Sequence, residues 1–368
     1  MYFEHLWLKD FRNYIDAELV PARSGITVLA GDNGSGKTNF LEAVGYLATG
    51  KSFRGAAPEA MVRSGAERAV VRGQAFREAR AVLIEAEIAA KGRDRLQVNR
   101  QPLRRSGDLR DVIAVTVFSP DDLQLVKGGP QGRRDYLDEL LAVLQPRYVA
   151  LLNDMERALR QRNVLLKTAG GALRGNMGAM LEIWDGQFSN AGEAVASARA
   201  ELVVALAPEV QRAYWQMCGV SEGDSTREVR LAYLRSWQGD LLRALALARE
   251  EDLRRGVTTL GPQRDELVLV LGGLPARTHA SQGEQRSLAL ALRLGGYRLV
   301  SARAGSLPVL LLDDVFSELD AQHCAALASN LPSGQALITA AGPLPVGLEF
   351  ARRVEIKAGA VRLCDGGG

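Results

Sequence analysis

The sequence predicts an α/β fold in which a P-loop sheet, flanked by an antiparallel β-meander, carries an inserted all-helical lobe. Three observations predict it. The apolar, β-branched run Ile26-Thr27-Val28-Leu29-Ala30 feeds a glycine turn and then a helical pattern, the order of strand, turn and helix that phosphate-binding loops use. A second apolar run, Val309-Leu310-Leu311-Leu312, stops at Asp313-Asp314. From about Gly132 to Glu251, short alternating segments give way to long helical ones such as "RRDYLDELLAVL" and "YVALLNDMERALRQRNVLL". The expected lobes are therefore 1–130 together with 257–368, and 131–256.

The glycine turn comes first. Gly31-Asp32-Asn33-Gly34-Ser35-Gly36-Lys37-Thr38 fits G-x-x-x-x-G-K-[ST] without a gap, and Asn39 opens the helical pattern that follows. Glycines let the backbone fold tightly enough for its N–H groups to surround phosphate oxygens, and the helix adds the positive end of its dipole. Lys37 is expected to reach the β- and γ-phosphates, and Thr38 to ligate Mg²⁺. A nucleotide is the expected ligand.

From Ala69 to Leu103, segments such as "AVVRGQAF" and "AVLIEAEIAA" alternate between charged turns and read as antiparallel strands. Over Lys91 to Arg110 the chain holds Lys91, Arg93, Arg95, Arg100, Arg104, Arg105 and Arg110 against Asp94 and Asp108. This is a local excess of five positive charges in a chain of net charge +3. Such a stretch suits a phosphate-backbone binder and equally a solvated hairpin face. A second basic face, with Arg157, Arg160 and Arg162, lies in the helical block. "VIAVTVF", Val112 to Phe118, reads as a buried strand stopped by Ser119-Pro120. Gly170, Gly171, Gly175 and Gly178 mark a turn between helices. After Thr258, "ELVLVL" reads as a return to the parallel sheet.

The strand ending in Asp313-Asp314 has the Walker B pattern: Asp313 placed for Mg²⁺ or its water, Asp314 beside the water that attacks the γ-phosphate. A carboxyl pair there could also cap the next turn. At a helix start, "SQGEQR", with Ser281, Gln282, Gly283 and Glu284, offers a hydroxyl and free N–H groups to an anion, or forms an ordinary helix cap. "SELD" ends at Asp320. In this order, the pieces resemble the signature, Walker B and D-loop of ABC-type ATPases. There the signature of one subunit covers the γ-phosphate bound by another, so Ser281 to Glu284 and Asp320 join the nucleotide set by resemblance.

The resemblance narrows with "LKDFRNY", "GDNGSGKTNFLEAV", "GKSFR", "FSPDDLQLVKGGPQGRRDYLD", "GPQRDEL", "SQGEQR" and "LLLDDVFSELD", which occur in that order across nearly the full chain. Together they resemble the RecF family of recombination mediators. The resemblance implies an ABC/SMC-like ATPase head with a short helical arm, serving recombinational repair and replication-fork maintenance. Such a head uses ATP with Mg²⁺ and turns it over weakly and under DNA stimulation. It binds single- and double-stranded DNA, dimerises on ATP at gap junctions, and works with RecR and RecO to load RecA. Two positions depart from the pattern: Gln263 stands where the family usually has histidine, and "ALITAAGP" has no switch histidine, with Thr339 the nearest polar residue. Arg54 in "GKSFR" could meet DNA, meet nucleotide or cover the sheet edge.

Composition trims the rival readings. At 368 residues and 47% hydrophobic the chain can bury a large core, and it has no apolar run of the roughly eighteen residues a membrane helix needs. A start without signal-peptide layout adds the expectation of a cytoplasmic protein. Three scattered cysteines and three isolated histidines lack metal-ligand spacing. An ABC-transporter nucleotide subunit would not need so large a helical insertion. An SMC-type clamp needs sustained heptads, whereas two helices of about 60 residues reach only about 90 Å.

Overall fold

The computed structural model describes residues 1–77, 80–103, 109, 112–220 and 224–364. They form two compact units: Met1–Asp122 with Ala213–Ser221 and Leu290–Gly368, and Leu123–Arg212 with Glu222–Ala289.

The first unit is built on two six-stranded sheets with a helix between them. One sheet runs in the order Tyr14–Leu19, Tyr2–Phe11, Arg68–Arg77, Arg80–Ala89, Arg95–Val98, Gln101–Pro102, and every neighbouring pair in it is antiparallel. This is the meander expected from the alternating segments. The other runs Ala360–Leu363, Arg352–Lys357, Gly25–Ala30, Gln335–Ala340, Val309–Leu312, Val115–Phe118, parallel except at its first pair. Its central strands are buried along nearly their whole length, which is why they read as unbroken apolar runs. Val115–Phe118 is an edge strand, shorter and less buried than the sequence suggested.

The helix Lys37–Thr49 fills the space between the sheets, burying Phe40, Leu41, Val44 and Leu47 against Phe3, Leu8, Leu29 and Leu311. Each such side chain stabilises the fold by about 1.5–3 kcal/mol. Gly73 allows the close approach, since a Cβ there would lie 2.8 Å from both Leu47 and the Phe3 ring. Buried Gln335 stitches the sheets together: its amide donates to the carbonyls of Phe3 and Ala22 at 2.7 Å and accepts from the Phe3 N–H at 2.7 Å.

The second unit carries the helices Pro130–Leu144, Pro146–Ala169 and Leu241–Arg255, and most of the 42-residue helix Met177–Cys218. Gly170 ends the second of these in a left-handed cap, whereas Gly178 lies inside the following helix. Two sequence expectations are corrected here. Val229–Leu234 is a strand within the block read as all-helical, and Glu266–Leu271 pairs with it antiparallel, in a three-stranded sheet with Leu274–Pro275, instead of entering the parallel sheet. The alternating burial of Glu266–Leu271 gives the reason, because one of its faces stays partly exposed. That pairing takes 257–289 into this unit, beyond the expected boundary at 256.

Buried charge organises the helices. Arg162, with no exposed surface, bonds Asp185 and Asp252 at 2.7 Å each and the Thr258 hydroxyl at 2.8 Å. Arg133 pairs with Glu266, Arg134 donates to the Asp265 carbonyl, and Arg199 grips Asp138 with two N–H groups while bonding the Pro262 carbonyl. Among the described residues no helix is long and apolar enough to cross a membrane.

Candidate active site

The P-loop sits where strand Gly25–Ala30 leaves the sheet, and its shape needs glycine at two places. A Cβ on Gly31 would fall 2.2 Å from the Ile356 carbonyl, and one on Gly36, at φ 115°, would fall 2.4 Å from the Asn13 amide. Gly36 opens helix Lys37–Thr49, and no side chain caps that helix. Its first N–H groups are thus left for an anion. The Ser35 hydroxyl is buried without a partner. Asp32, Asn33 and Gly34 are exposed at the rim. Lys37, only 7% exposed, donates to the Gly31 and Asp32 carbonyls at 2.8 Å each, which leaves one of its three N–H donors for a phosphate.

The parallel pairing of Val309–Leu312 with Gln335–Ala340 brings the Walker B carboxylate to this loop. Asp313 Oδ1 accepts the Thr38 hydroxyl at 2.7 Å and the Thr339 hydroxyl at 3.0 Å. Burial pushes the Asp313 carboxyl above the usual range, the two hydroxyls pull it back, and neighbouring Asp314 raises it again. A crowded, buried carboxylate beside a hydroxyl is a donor set that suits a hard divalent cation. Asp314 takes the left-handed conformation, φ 49° and ψ 28°, and makes no side-chain cap to the turn that follows. Capping therefore does not account for the pair.

Sequence reasoning missed the other wall. Asn13 donates to the Ser35 carbonyl at 3.0 Å and accepts from Asn39 at 2.9 Å, and the Tyr14 hydroxyl donates to the Gly36 carbonyl at 2.8 Å. Behind it, fully buried Glu42 takes two N–H groups of Arg12 at 2.8 Å and the Ser52 hydroxyl at 2.5 Å. Arg54 donates to the Asn39 side chain at 3.2 Å and stands 3.8 Å from Glu42, beside the P-loop helix. The signal for this wall was "FRNY" upstream of the loop, but nothing local said where it folds. A cavity of about 470 Å³ opens along Gly31 and Asp32 toward Gly342, Pro343, Arg353 and Glu355.

In the second unit, Ser281 and Glu284 form a reciprocal capping box at the start of helix Gln282–Ala304. The Ser281 N–H and hydroxyl both reach Glu284 at 2.8 Å, and the Glu284 N–H returns to Ser281 at 3.3 Å. The cap reading of "SQGEQR" thus describes this geometry, with Gln282 and Gly283 in the helix's first turn. In the first unit, Asp320 caps helix Ala321–Asn330 through the His323 N–H at 2.9 Å.

The chain matches the family model described as the RecF/RecN/SMC N terminal domain over residues 2–340. It is 43% identical to the DNA replication and repair protein RecF of Frankia alni, covering 98% of this chain and 99% of that one. The identity is again 43% to the RecF of Streptomyces avermitilis, over 93% of this chain and 94% of the relative. The chain belongs to the RecF family. Solved structures agree: the recombination mediator protein RecF-ATP superposes with a TM-score of 0.89 at 27% identity, over 99% of this chain and 97% of that one. An Smc head domain from Pyrococcus furiosus shares the fold, at TM-score 0.56 and 15% identity.

Two RecF-like pieces turn out to be partners. "GRRDYLD" and "GPQRDEL" meet through Arg133 to Glu266 and Arg134 to the Asp265 carbonyl, a pairing invisible over some 130 intervening residues. Within that loop Gln263 donates to the Leu260 carbonyl at 2.9 Å, while its own carbonyl oxygen is buried without a partner. Of the RecF-type DNA candidates, Arg93 is exposed alongside Lys91, Arg95 and Arg100. Arg104, Arg105 and Arg110 lie outside the described residues. Arg162 is corrected: it is a core cation and cannot meet DNA, whereas Arg157 and Arg160 are exposed and paired with Asp154 and Glu156.

Proposed function

We propose that this chain is an ATP-driven, DNA-binding protein of recombinational repair and replication-fork maintenance. In this reading the first unit is the nucleotide lobe and the second its short helical arm. The observation that carries the reading is the 2.7 Å bond from the Thr38 hydroxyl, which follows Lys37 in the P-loop, to Asp313, 275 positions further along the chain. The RecF-ATP structure supports ATP as the nucleotide, and the relatives' names support a role in DNA replication and repair.

In this mechanism the P-loop N–H groups and the third proton of Lys37 hold the phosphates, and the buried Ser35 hydroxyl gains an acceptor. Thr38 and Asp313 fit Mg²⁺, which when bound would neutralise charge on the β- and γ-phosphates. Asp314 orients a water and accepts its proton. Turnover is weak and stimulated by DNA. The RecFOR pathway named for the solved relative supports RecR and RecO as partners. In this reading, they and this chain load RecA at single-strand gaps. The protein acts in the cytoplasm.

DNA is held chiefly by backbone phosphates, through the exposed cations around Arg93 and Arg54. Affinity is expected to fall with salt with a log–log slope of about −0.9 per phosphate neutralised. Charge reversal of Arg93, Arg104 and Arg105 to Glu should flatten that slope and weaken binding to every sequence alike, read by fluorescence anisotropy across a salt series. An unchanged slope moves the DNA surface elsewhere.

The composite site gives the decisive test. If Ser281 acts on nucleotide held by a second copy's Lys37, Lys37→Met and Ser281→Arg proteins are each inactive. A mixed dimer, however, keeps one intact site. Random pairing at equal amounts makes about half the dimers mixed, so roughly a quarter of wild-type ATPase should return and should depend on protein concentration. No recovery at any ratio, together with no ATP-dependent association of the wild type by sedimentation, excludes the composite site.

A further inference from the structure

We propose that Thr339 is a positioning residue that holds both Walker B aspartates with a single hydroxyl. The inference rests on the reading that Asp313 and Asp314 divide the work of ATP hydrolysis. Thr339 is 1% exposed on strand Gln335–Ala340, which is parallel to the strand that ends at Leu312. Its hydroxyl donates to Asp313 Oδ1 at 3.0 Å and accepts the Asp314 backbone N–H at 2.7 Å. A hydroxyl has one proton and two lone pairs, so a single atom can serve both neighbours at once.

The Asp314 peptide is where direction is decided. The strand ends at Leu312, Asp313 stays anchored by its N–H on the Phe118 carbonyl at 2.8 Å, and Asp314 then turns left-handed. Aspartate is among the few non-glycine residues that enter this region readily, and here its own side chain makes no cap to the turn. The bond from its N–H to Thr339 tethers the turn to the neighbouring strand, and the Ser317 hydroxyl holds its carbonyl at 2.8 Å. The same hydroxyl shares Asp313 Oδ1 with Thr38, so the carboxylate that faces the P-loop and the backbone that aims Asp314 have one reference point. Thr339 stands in the segment where ABC transporters carry their switch histidine, yet it faces the strand-end aspartates and does not open to solvent.

Thr339→Val keeps the β-branched shape and removes the hydroxyl, and Thr339→Ser restores it. Misaiming a reacting group by about 1 Å costs about a hundredfold in rate, so the Val variant is expected to lose 30- to 100-fold in kcat. Its ATP concentration at half-saturation should move less than about threefold, because the P-loop contacts are untouched, and the Ser variant should retain kcat within about threefold. A merely structural role would instead lower the melting temperature and leave kcat per folded molecule unchanged. A folded Val variant with kcat within about threefold of wild type overturns the proposal. Thr339→Ala removes the same hydroxyl with less bulk and is read the same way. If neither Val nor Ala folds while Ser does, the hydroxyl is a folding requirement and the positioning role falls. Wild-type protein without ATPase activity is a separate result, which defeats the hydrolysis reading and this inference with it.

Discussion

Lys37→Met protein should fold as the wild type does, lose ATP turnover by about 10²–10³-fold or more, and bind ATP at least tenfold more weakly. Methionine keeps most of the apolar stem of lysine and removes the charge. The stem is what helix Lys37–Thr49 buries, while the ammonium bridges the Gly31 and Asp32 carbonyls at 2.8 Å. Removing one preorganised donor aimed at developing charge costs about 3–4 kcal/mol in comparable sites. Asp314→Asn provides the contrast: it keeps the backbone turn and the P-loop, so ATP binding should stay within about threefold while hydrolysis slows by about 10²–10⁴-fold. Nucleotide titration and phosphate release measured on the same preparations separate the two. Wild-type turnover in a folded Lys37→Met protein would sink the site assignment, and equal loss of affinity in both variants would sink the division between Lys37 and Asp314.

Arg162→Leu should destabilise the second unit by about 3–5 kcal/mol, because it leaves Asp185 and Asp252 in the core without their cation. For a unit of this size, with about 2–4 °C lost per kcal/mol, the melting temperature should fall by roughly 6–20 °C. Asp185 keeps a 3.0 Å contact with Arg249, and Asp252 keeps the Thr259 N–H and hydroxyl at 2.9 and 2.6 Å, so loss at the low end of the range is expected if these tighten. Arg162→Lys keeps the charge but not the fork that reaches two carboxylates and Thr258, and should fall between. Calorimetry checks both. A shift under about 2 °C for Arg162→Leu would mean the triad contributes nothing beyond an apolar contact.

The P-loop was legible because its chemistry is contiguous. Eight residues carry the turn, the N–H groups and the lysine, and the buried strands on either side of the site carry apolar runs that no exposed segment would hold. The ordered motif pieces determined the family by themselves, and matched relatives over nearly the whole chain bear that out. Partnerships between distant segments were not legible. Arg157, Arg160 and Arg162 lie on one helix within six positions, and local pattern treats them alike, yet only Arg162 is buried. "ELVLVL" suited a parallel strand until its partner, Val229–Leu234, emerged from a stretch read as helix. Thr339 was read only as the nearest polar residue to the missing switch histidine, and the sheet register set it against Asp313 and Asp314. In each case the deciding contact joins groups between 23 and 90 positions apart. Sequence records which groups are available and how each segment prefers to coil; which of them share a dry, low-dielectric space, where an ion pair or a hydroxyl becomes decisive, is settled only when the sheets and helices close around it.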